Sequence, residues 1–145
     1  MQRSVPETLT VYTWGHSRER TFEDLLAALR LTWPEPWRVP IVDVRRSRGS
    51  RNPRWHCDGT VRTQLVYLWY VWLNGLGNAQ SAPSGTWVPA RGDAVMEQHL
   101  DYAASLLRRY GAVVLVCAER DHRKCHRVQV AEALAERTGA EVVHL

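Results

Sequence analysis

The segment "LVCAERDHRKCHR" gathers residue types that commonly do chemistry, between a predicted strand and a predicted helix. They are two thiols, a carboxylate, an imidazole and a guanidinium: Cys117, Glu119, Cys125, His126 and Arg127. The first turn of a helix presents free N–H groups and a partial positive charge. A phosphate or carboxylate binds readily there, and Arg127 would add a bidentate donor. The spacing therefore predicts an anion site at the start of this helix.

Cys125 also allows a different chemistry at the same place. The positive field of the helix start, helped by His126, would favour the thiolate form of Cys125 and make it a nucleophile or a thiol sensor, with Cys117 as its neighbour. The alternative is that Cys125 merely packs, while His126 caps the helix or faces solvent. Both interpretations stay open on the sequence alone.

A second group of polar residues lies in the apolar run "IVDVRR". Asp43 stands between Val42 and Val44, and a buried carboxylate needs a partner. Asp43 and Arg45 are two positions apart, so they share one face of a strand. They form either an internal ion pair or part of a substrate site.

A loop rich in arginine follows this strand. It is a solvated surface loop, a flexible guanidinium lid over an anionic ligand, or a contact for nucleic acid. Trp55 beside it would stack on a base or cover the core. The arginines of the span are Arg45, Arg46, Arg48, Arg51 and Arg54.

Strand and helix patterns alternate along the chain, which predicts an α/β fold: a three-layer, mostly parallel central sheet with helices on both faces. Thr21 is predicted to cap the first helix and Asp93 the second. The apolar run at residues 65–77 fits a buried strand or a buried helix equally well. The predicted strands are residues 9–15, 39–46, 112–119 and 140–145, and the predicted helices are residues 21–30, 93–110 and 125–138.

The carboxyl ends of parallel strands meet at one edge of the sheet, and ligands bind outside that edge. The predicted edge collects most of the unusual polar residues of the chain. We take five of them as catalytic candidates: His16, Asp43, Glu119, Cys125 and His126. The candidates for binding are Gly15, Ser17, Arg45, Arg48, Cys117 and Arg127.

Composition limits the class of protein. The chain has 145 residues, 45% of them apolar, and we expect one domain over residues 1–145. It has no apolar run that could span a bilayer and no apolar signal sequence at its start, so we expect a cytoplasmic protein. The odd number of cysteines, three, argues against a secreted disulfide scaffold and favours reduced thiols. The formal charge of +4 is carried almost entirely by arginine.

The cysteines form no metal-binding pair of the usual spacing, so we expect no metal site. His122 and His126 do fit H-x3-H, but no cysteine pair accompanies them. We expect no cofactor. The oligomeric state stays open.

The motifs, in this order, resemble those of DUF488, a family of small bacterial and archaeal proteins of unknown function. The resemblance rests on G-H-S at residues 15–17, on D-V-R at residues 43–45, and on C-A-E…C-H-R at residues 117–127. It implies a compact α/β domain in which these motifs cluster, and it implies no established reaction. Two segments depart from the family pattern: the loop after D-V-R, where Arg46, Gly49 and Trp55 stand, and "LNGLGN".

The first functional hypothesis is a pocket for a nucleotide or another phosphorylated or carboxylated metabolite. Arg45 and Arg127 would bind the anion, Asp43 and Glu119 would orient them or transfer protons, and His16 or His126 would act as general acid or base. The alternatives are a nucleic-acid-binding module that uses the arginine loop, and a cysteine enzyme or thiol sensor.

Overall fold

The computed structural model describes residues 8–57, 60–61 and 69–145. These residues form a five-stranded sheet of order β3-β2-β4-β1-β5, in which every strand pairing is parallel. The strands are β1 (Thr10–Gly15), β2 (Ile41–Asp43), β3 (Tyr70–Trp72), β4 (Ala112–Cys117) and β5 (Glu141–His144). The α-helices whose full extent the structure describes are α1 (Phe22–Arg30), α2 (Asp93–Tyr110) and α3 (Arg127–Thr138). The predicted α/β class is confirmed.

The strands follow the apolar runs of the sequence. β1 and β4 are buried at every position, because both lie inside the sheet and are covered on both faces. β5 lies at one edge and is half-buried to exposed. β2 is shorter than the strand predicted for residues 39–46, because the backbone N–H of Arg45 turns back to the carboxylate of Asp43, 3.1 Å away.

The helices begin and end at identifiable signals. The Thr21 hydroxyl caps α1, and the side chain of Asp24 closes the reciprocal bond. The prediction for α2 is wrong at its start: Asp93 is the first helical residue, and the capping position belongs to Gly92, which has no side chain to offer. Gly111 and Gly139 end α2 and α3 in the left-handed conformation, as glycine permits.

The helices cover the two faces of the sheet. α1 packs on one face through Leu25 and Leu29, against Trp14 and Trp55. α2 and α3 pack on the other face, where their apolar sides meet alternate residues of β4. This is the predicted arrangement of three layers.

The apolar run at residues 65–77 contains strand β3, which pairs with β2. Residues 65–68 of that run lie outside the described residues. Within the described part of the chain, no helix has both the length and the apolar character that crossing a membrane requires.

The topology selects one place along the carboxyl edge. The connection from β2 leads outward to β3, and the connection from β4 leads in the opposite direction to β5. Trp55, in the first connection, packs with the α1 face, whereas α3, in the second, packs with the other face. In open α/β sheets, ligands commonly bind outside the carboxyl ends of neighbouring strands whose connections diverge in this way.

Candidate functional site

The ends of β1 and β4 lie side by side. Gly15 is level with Cys117, and beyond the strand His16 and Ser17 donate their backbone N–H groups to Cys117 and Ala118, at 2.9 and 2.8 Å. Only glycine fits at Gly15, because a Cβ there would overlap the carbonyl of Glu119. The G-H-S and C-A-E motifs are therefore in direct contact.

Asp43 and Arg45 form a buried ion pair at the end of β2. Arg45 Nε and Nη2 donate to the Asp43 carboxylate at 2.9 and 2.7 Å, and the Tyr70 hydroxyl of β3 donates to it at 2.6 Å. Burial alone would lower the pKa of Arg45, but hydrogen bonds to Asp43 and its charge raise it. Burial, with the nearby charge of Asp43, raises the pKa of Tyr70. This closed network agrees with the internal ion pair that the sequence left open.

His16 lies behind this pair and is fully buried. Its ring stacks on Trp55 with centroids 5.2 Å apart. Nδ1 donates to the carbonyl of Ser17 at 2.7 Å, and Nε2 lies 3.4 Å from Arg45 Nη1. Burial lowers the pKa of His16 to about 4, so the ring is neutral at neutral pH. Both nitrogens are engaged within the protein, which favours a structural role.

Arg127 is the first residue of α3 and is also fully buried. Its Nη1 donates to the carbonyl of Glu119 and contacts Cys117 Sγ at 3.2 Å, while Nη2 donates to the carbonyl of Arg120 at 3.0 Å. Nε is buried without a hydrogen-bond partner. Among the described residues, no carboxylate forms an ion pair with Arg127.

The charge of Arg127 is costly to bury, and its surroundings show this. Burial lowers the pKa of Arg127 to about 10; Glu119 and Asp121 raise it, and Arg20 lowers it. Burial and the charge of Arg120 lower the pKa of Arg20, whose Nη1 donates to the carbonyl of Gly15 at 2.8 Å. We call Arg20, Arg120 and Arg127 the arginine cluster. Arg120 and Arg127 both repel Arg20 at the carboxyl edge, and the two nearby carboxylates only partly offset the burial of Arg127.

Cys117 and Cys125 are joined by a disulfide in the structure, with Cα atoms 7.7 Å apart. The expectation of reduced thiols is therefore wrong for this pair, although Cys57 is free and exposed. The count of cysteines could not show that the end of β4 and the start of α3 bring two of them together. The backbone N–H of Arg127 points to Cys125 Sγ at 3.5 Å.

His126 lies inside the protein and does not face solvent. It occupies the capping position of α3 without a side-chain cap. Its Nε2 is 3.0 Å from the carbonyl of Val44 and 2.9 Å from that of Leu76. Burial lowers its pKa, although both carbonyls act in the opposite direction. His126 thus ties the start of α3 to the loops that follow β2 and β3.

Ser17 carries two unusual features. Its backbone lies in the left-handed region, with φ of 49°, which is uncommon for a residue with a side chain. Its Oγ is buried without a hydrogen-bond partner. Such strain and such an unpaired group cluster at functional sites, so Ser17 stays a candidate for binding.

The arginine loop is anchored to the loop that follows β1, which argues against a freely moving lid. Asn52 is fully buried, and its Nδ2 donates to the carbonyls of His16 and Arg20 at 3.3 and 2.8 Å. Arg48 lies over the ring of Trp72, 4.1 Å from its centroid. The remaining arginines of the loop are exposed: Arg46, Arg51 and Arg54.

The structure brings the G-H-S, D-V-R and C-A-E…C-H-R motifs to one edge. It also adds residues that the sequence did not single out: Arg20, Asn52, Tyr70 and Arg120. Asn52 stands before a proline, a common turn signal, but nothing in the local sequence marks its partners. No group of three or more His, Cys, Asp or Glu side chains placed to hold a metal occurs in the described part of the chain.

A family model described as "Domain of unknown function DUF488" matches residues 38–134. The chain belongs to this family. The match includes the D-V-R and C-A-E…C-H-R motifs of this DUF488 protein, whereas G-H-S lies before the matched segment. Searches of curated proteins and of solved structures found no match.

Proposed function

We propose that this DUF488 protein binds a small anion, a nucleotide or another phosphorylated or carboxylated metabolite, at the carboxyl edge of its sheet. The observation that carries the proposal is the buried charge of Arg127, which has no carboxylate partner among the described residues. Buried charges are normally paired, because removing an ion from water is costly. A bound anion would supply the missing partner.

The surroundings of Arg127 favour the same ligand. Arg20 and Arg120 stand close enough to affect neighbouring charges, so a ligand with more than one negative oxygen would relieve their repulsion. α3 adds the positive end of its dipole. The unpaired Oγ of Ser17 is a further donor at the end of β1. Together these groups form an anion site at the neighbouring ends of β1 and β4.

The contacts change the roles assigned from sequence. Arg45 already has Asp43 as its partner, so we assign the ligand to the arginine cluster instead. His16 and Asp43 are fully buried and engaged. Glu119 is exposed and is the candidate best placed for proton transfer. The proposal is therefore one of binding, and catalysis stays a prediction.

Thermal shift and calorimetry with phosphate, sulfate, citrate and nucleotides, at constant ionic strength, test the proposal. We expect stabilisation by at least one phosphate- or carboxylate-bearing ligand. Arg120→Gln removes an exposed cation of the cluster and should weaken binding about tenfold. Arg137→Gln is the matched control, because Arg137 pairs with Glu97 and Asp101 near the opposite end of α3.

Two results would overturn the proposal. One is the absence of stabilisation by every ligand of this chemistry. The other is an equal loss of affinity in Arg120→Gln and in Arg137→Gln, which would show a general effect of net charge.

Nucleic acid is the second candidate, because the exposed arginines of the anchored loop lie at the same edge. Contacts to phosphates make such binding steeply dependent on salt. Gel shifts with single-stranded and duplex DNA and RNA at two salt concentrations would detect it. Retention at low salt that is lost in a double variant, Arg51→Gln with Arg54→Gln, supports this candidate, and no shift at low salt removes it.

A further inference from the structure

Cys117 and Cys125 stand at the two ends of the loop that joins β4 to α3. Cys117 is the last residue of β4, and Cys125 precedes the capping residue of α3. Their relative exposures are only 3% and 6%, so both sulfur atoms are shielded from large partners. Their sulfur atoms are in covalent contact.

Arg127 contacts both sulfur atoms. Its Nη1 lies 3.2 Å from Cys117 Sγ, and its backbone N–H lies 3.5 Å from Cys125 Sγ. A cation and the N-terminus of a helix both stabilise a thiolate. In the reduced protein, a thiolate would therefore be the counter-ion that Arg127 lacks among the described residues.

We propose that Cys117 and Cys125 are a reversible dithiol–disulfide pair that is oxidised by low-molecular-weight disulfides. The Cys125 thiolate, the slightly more exposed of the two, attacks one sulfur of the small disulfide, forms a mixed disulfide and releases one thiolate. Cys117 loses its proton to water, attacks Cys125 Sγ and releases the second thiolate. The protein loses two hydrogens and two electrons, and the small disulfide becomes two thiols.

Oxidation changes more than the two sulfur atoms. The bond between Cys117 and Cys125 closes the loop between them into a ring. This loop supplies the carbonyls of Glu119 and Arg120 to Arg127. The redox state therefore sets whether a thiolate is present as the counter-ion of Arg127.

The test equilibrates the full-length protein with mixtures of reduced and oxidised glutathione, quenches in acid, and alkylates the denatured chain for intact-mass and peptide mass spectrometry. We expect Cys117 and Cys125 to become resistant to alkylation at the same glutathione ratio. Cys57, which is free and exposed, should follow its own dependence on that ratio. Cys57→Ser is the control. It should leave unchanged the ratio of reduced to oxidised glutathione at which half of the Cys117–Cys125 pair is oxidised. Two results would overturn the proposal: oxidation of Cys117 and Cys125 at different glutathione ratios, or complete alkylation of both after treatment with excess oxidised glutathione.

Two variants test the order of the steps. Cys117→Ser should hold Cys125 as a persistent mixed disulfide with glutathione, because no second thiol resolves it, whereas Cys125→Ser should not accumulate one at Cys117. Arg127→Gln removes the guanidinium beside Cys117 Sγ, so it should slow the attack of Cys117 on the mixed disulfide about tenfold at neutral pH. A thiol that persists at Cys125 in Cys117→Ser would contradict the assigned order.

The effect on ligands rests on the proposed function, but the oxidation does not. If the edge binds anions, the oxidised protein should bind phosphate more tightly than the reduced protein, because Arg127 has then lost its thiolate partner. Paired oxidation without any phosphate binding would refute the proposed function and leave the redox pair standing. Phosphate binding of equal affinity in both states would refute the coupling alone.

Discussion

Arg45 and Arg127 are both buried, yet they differ in what surrounds them. Arg45 holds Asp43 in an ion pair that Tyr70 completes, so its guanidinium has little left to offer a ligand. Arg127 donates to backbone carbonyls and a sulfur atom, and its Nε has no partner. We infer that Arg45 stabilises the fold, whereas Arg127 is available to bind a ligand.

The ion pair predicts unequal losses of stability. Asp43→Asn leaves the charge of Arg45 uncompensated and should lower the free energy of unfolding by about 3–5 kcal/mol. Tyr70→Phe removes one hydrogen bond to the same carboxylate and should cost about 2 kcal/mol. Urea unfolding at neutral pH measures both changes. A loss in Asp43→Asn no larger than that in Tyr70→Phe would mean that the pair does not matter to stability.

His16 predicts the dependence of stability on pH. Burial lowers its pKa from the ordinary value of 6.5 to about 4, so between these values the unfolded chain binds a proton that the folded chain does not. Stability is therefore complete above about pH 6.5 and falls as the pH drops towards 4, by up to about 3 kcal/mol. Urea unfolding at pH 7.0, 5.5 and 4.5 should show a shallower decline for His16→Gln. Parallel declines for the two proteins would exclude this role.

At the scale of the elements, the contact between β1 and the loop after β4 decides whether the motifs meet. Gly15→Ala would place a Cβ against the carbonyl of Glu119, so the loop must shift or the strand must bend. Gly49→Ala is the matched control, because the nearest atom to its Cβ, Ser47 Oγ, is 3.6 Å away.

We expect Gly15→Ala to lower the thermal midpoint by several degrees or to prevent folding, and Gly49→Ala to change it little. Circular dichroism melts of the two variants beside the natural sequence measure this. Similar midpoints for all three would show that the close approach at Gly15 is unimportant.

The elements were largely predictable from sequence, and the reasons are local. The Thr21 capping box and the left-handed ends at Gly111 and Gly139 act within a few residues, so the pattern reveals them. The start of α2 was misjudged because the side chain of Asp93 resembles a cap, whereas the capping backbone belongs to Gly92. Errors of this kind move a boundary but leave the helix in place.

The site was predictable only in part, because its contacts are distant in sequence. That Asp43 and Arg45 share a face follows from the period of a strand. That Tyr70 joins them requires β3 to lie beside β2, and nothing in the local sequence states that pairing. Likewise, the charge of Arg127 is visible in the sequence, but its burial under the carbonyls of a loop is not.

At the scale of the whole molecule, the sheet should differ in stability from its middle to its edges. β4 has a strand on each side and is buried throughout, whereas β5 lies at an edge and is partly exposed. Amide hydrogen exchange followed by mass spectrometry should show the slowest exchange in β4 and β1 and faster exchange in β5. Equal protection of β4 and β5 would argue against this strand order.

The strand order has a consequence for how the protein is made. β1 and β2 are synthesised early, but neither pairs with the other, because β4 lies between them. A nascent chain that ends before Ala112 therefore lacks the strand that joins β1 to β2, so these two strands cannot form their native sheet. Once β4 has been synthesised, β1, β2 and β4 can pair in a single cooperative step, although they are far apart along the polypeptide.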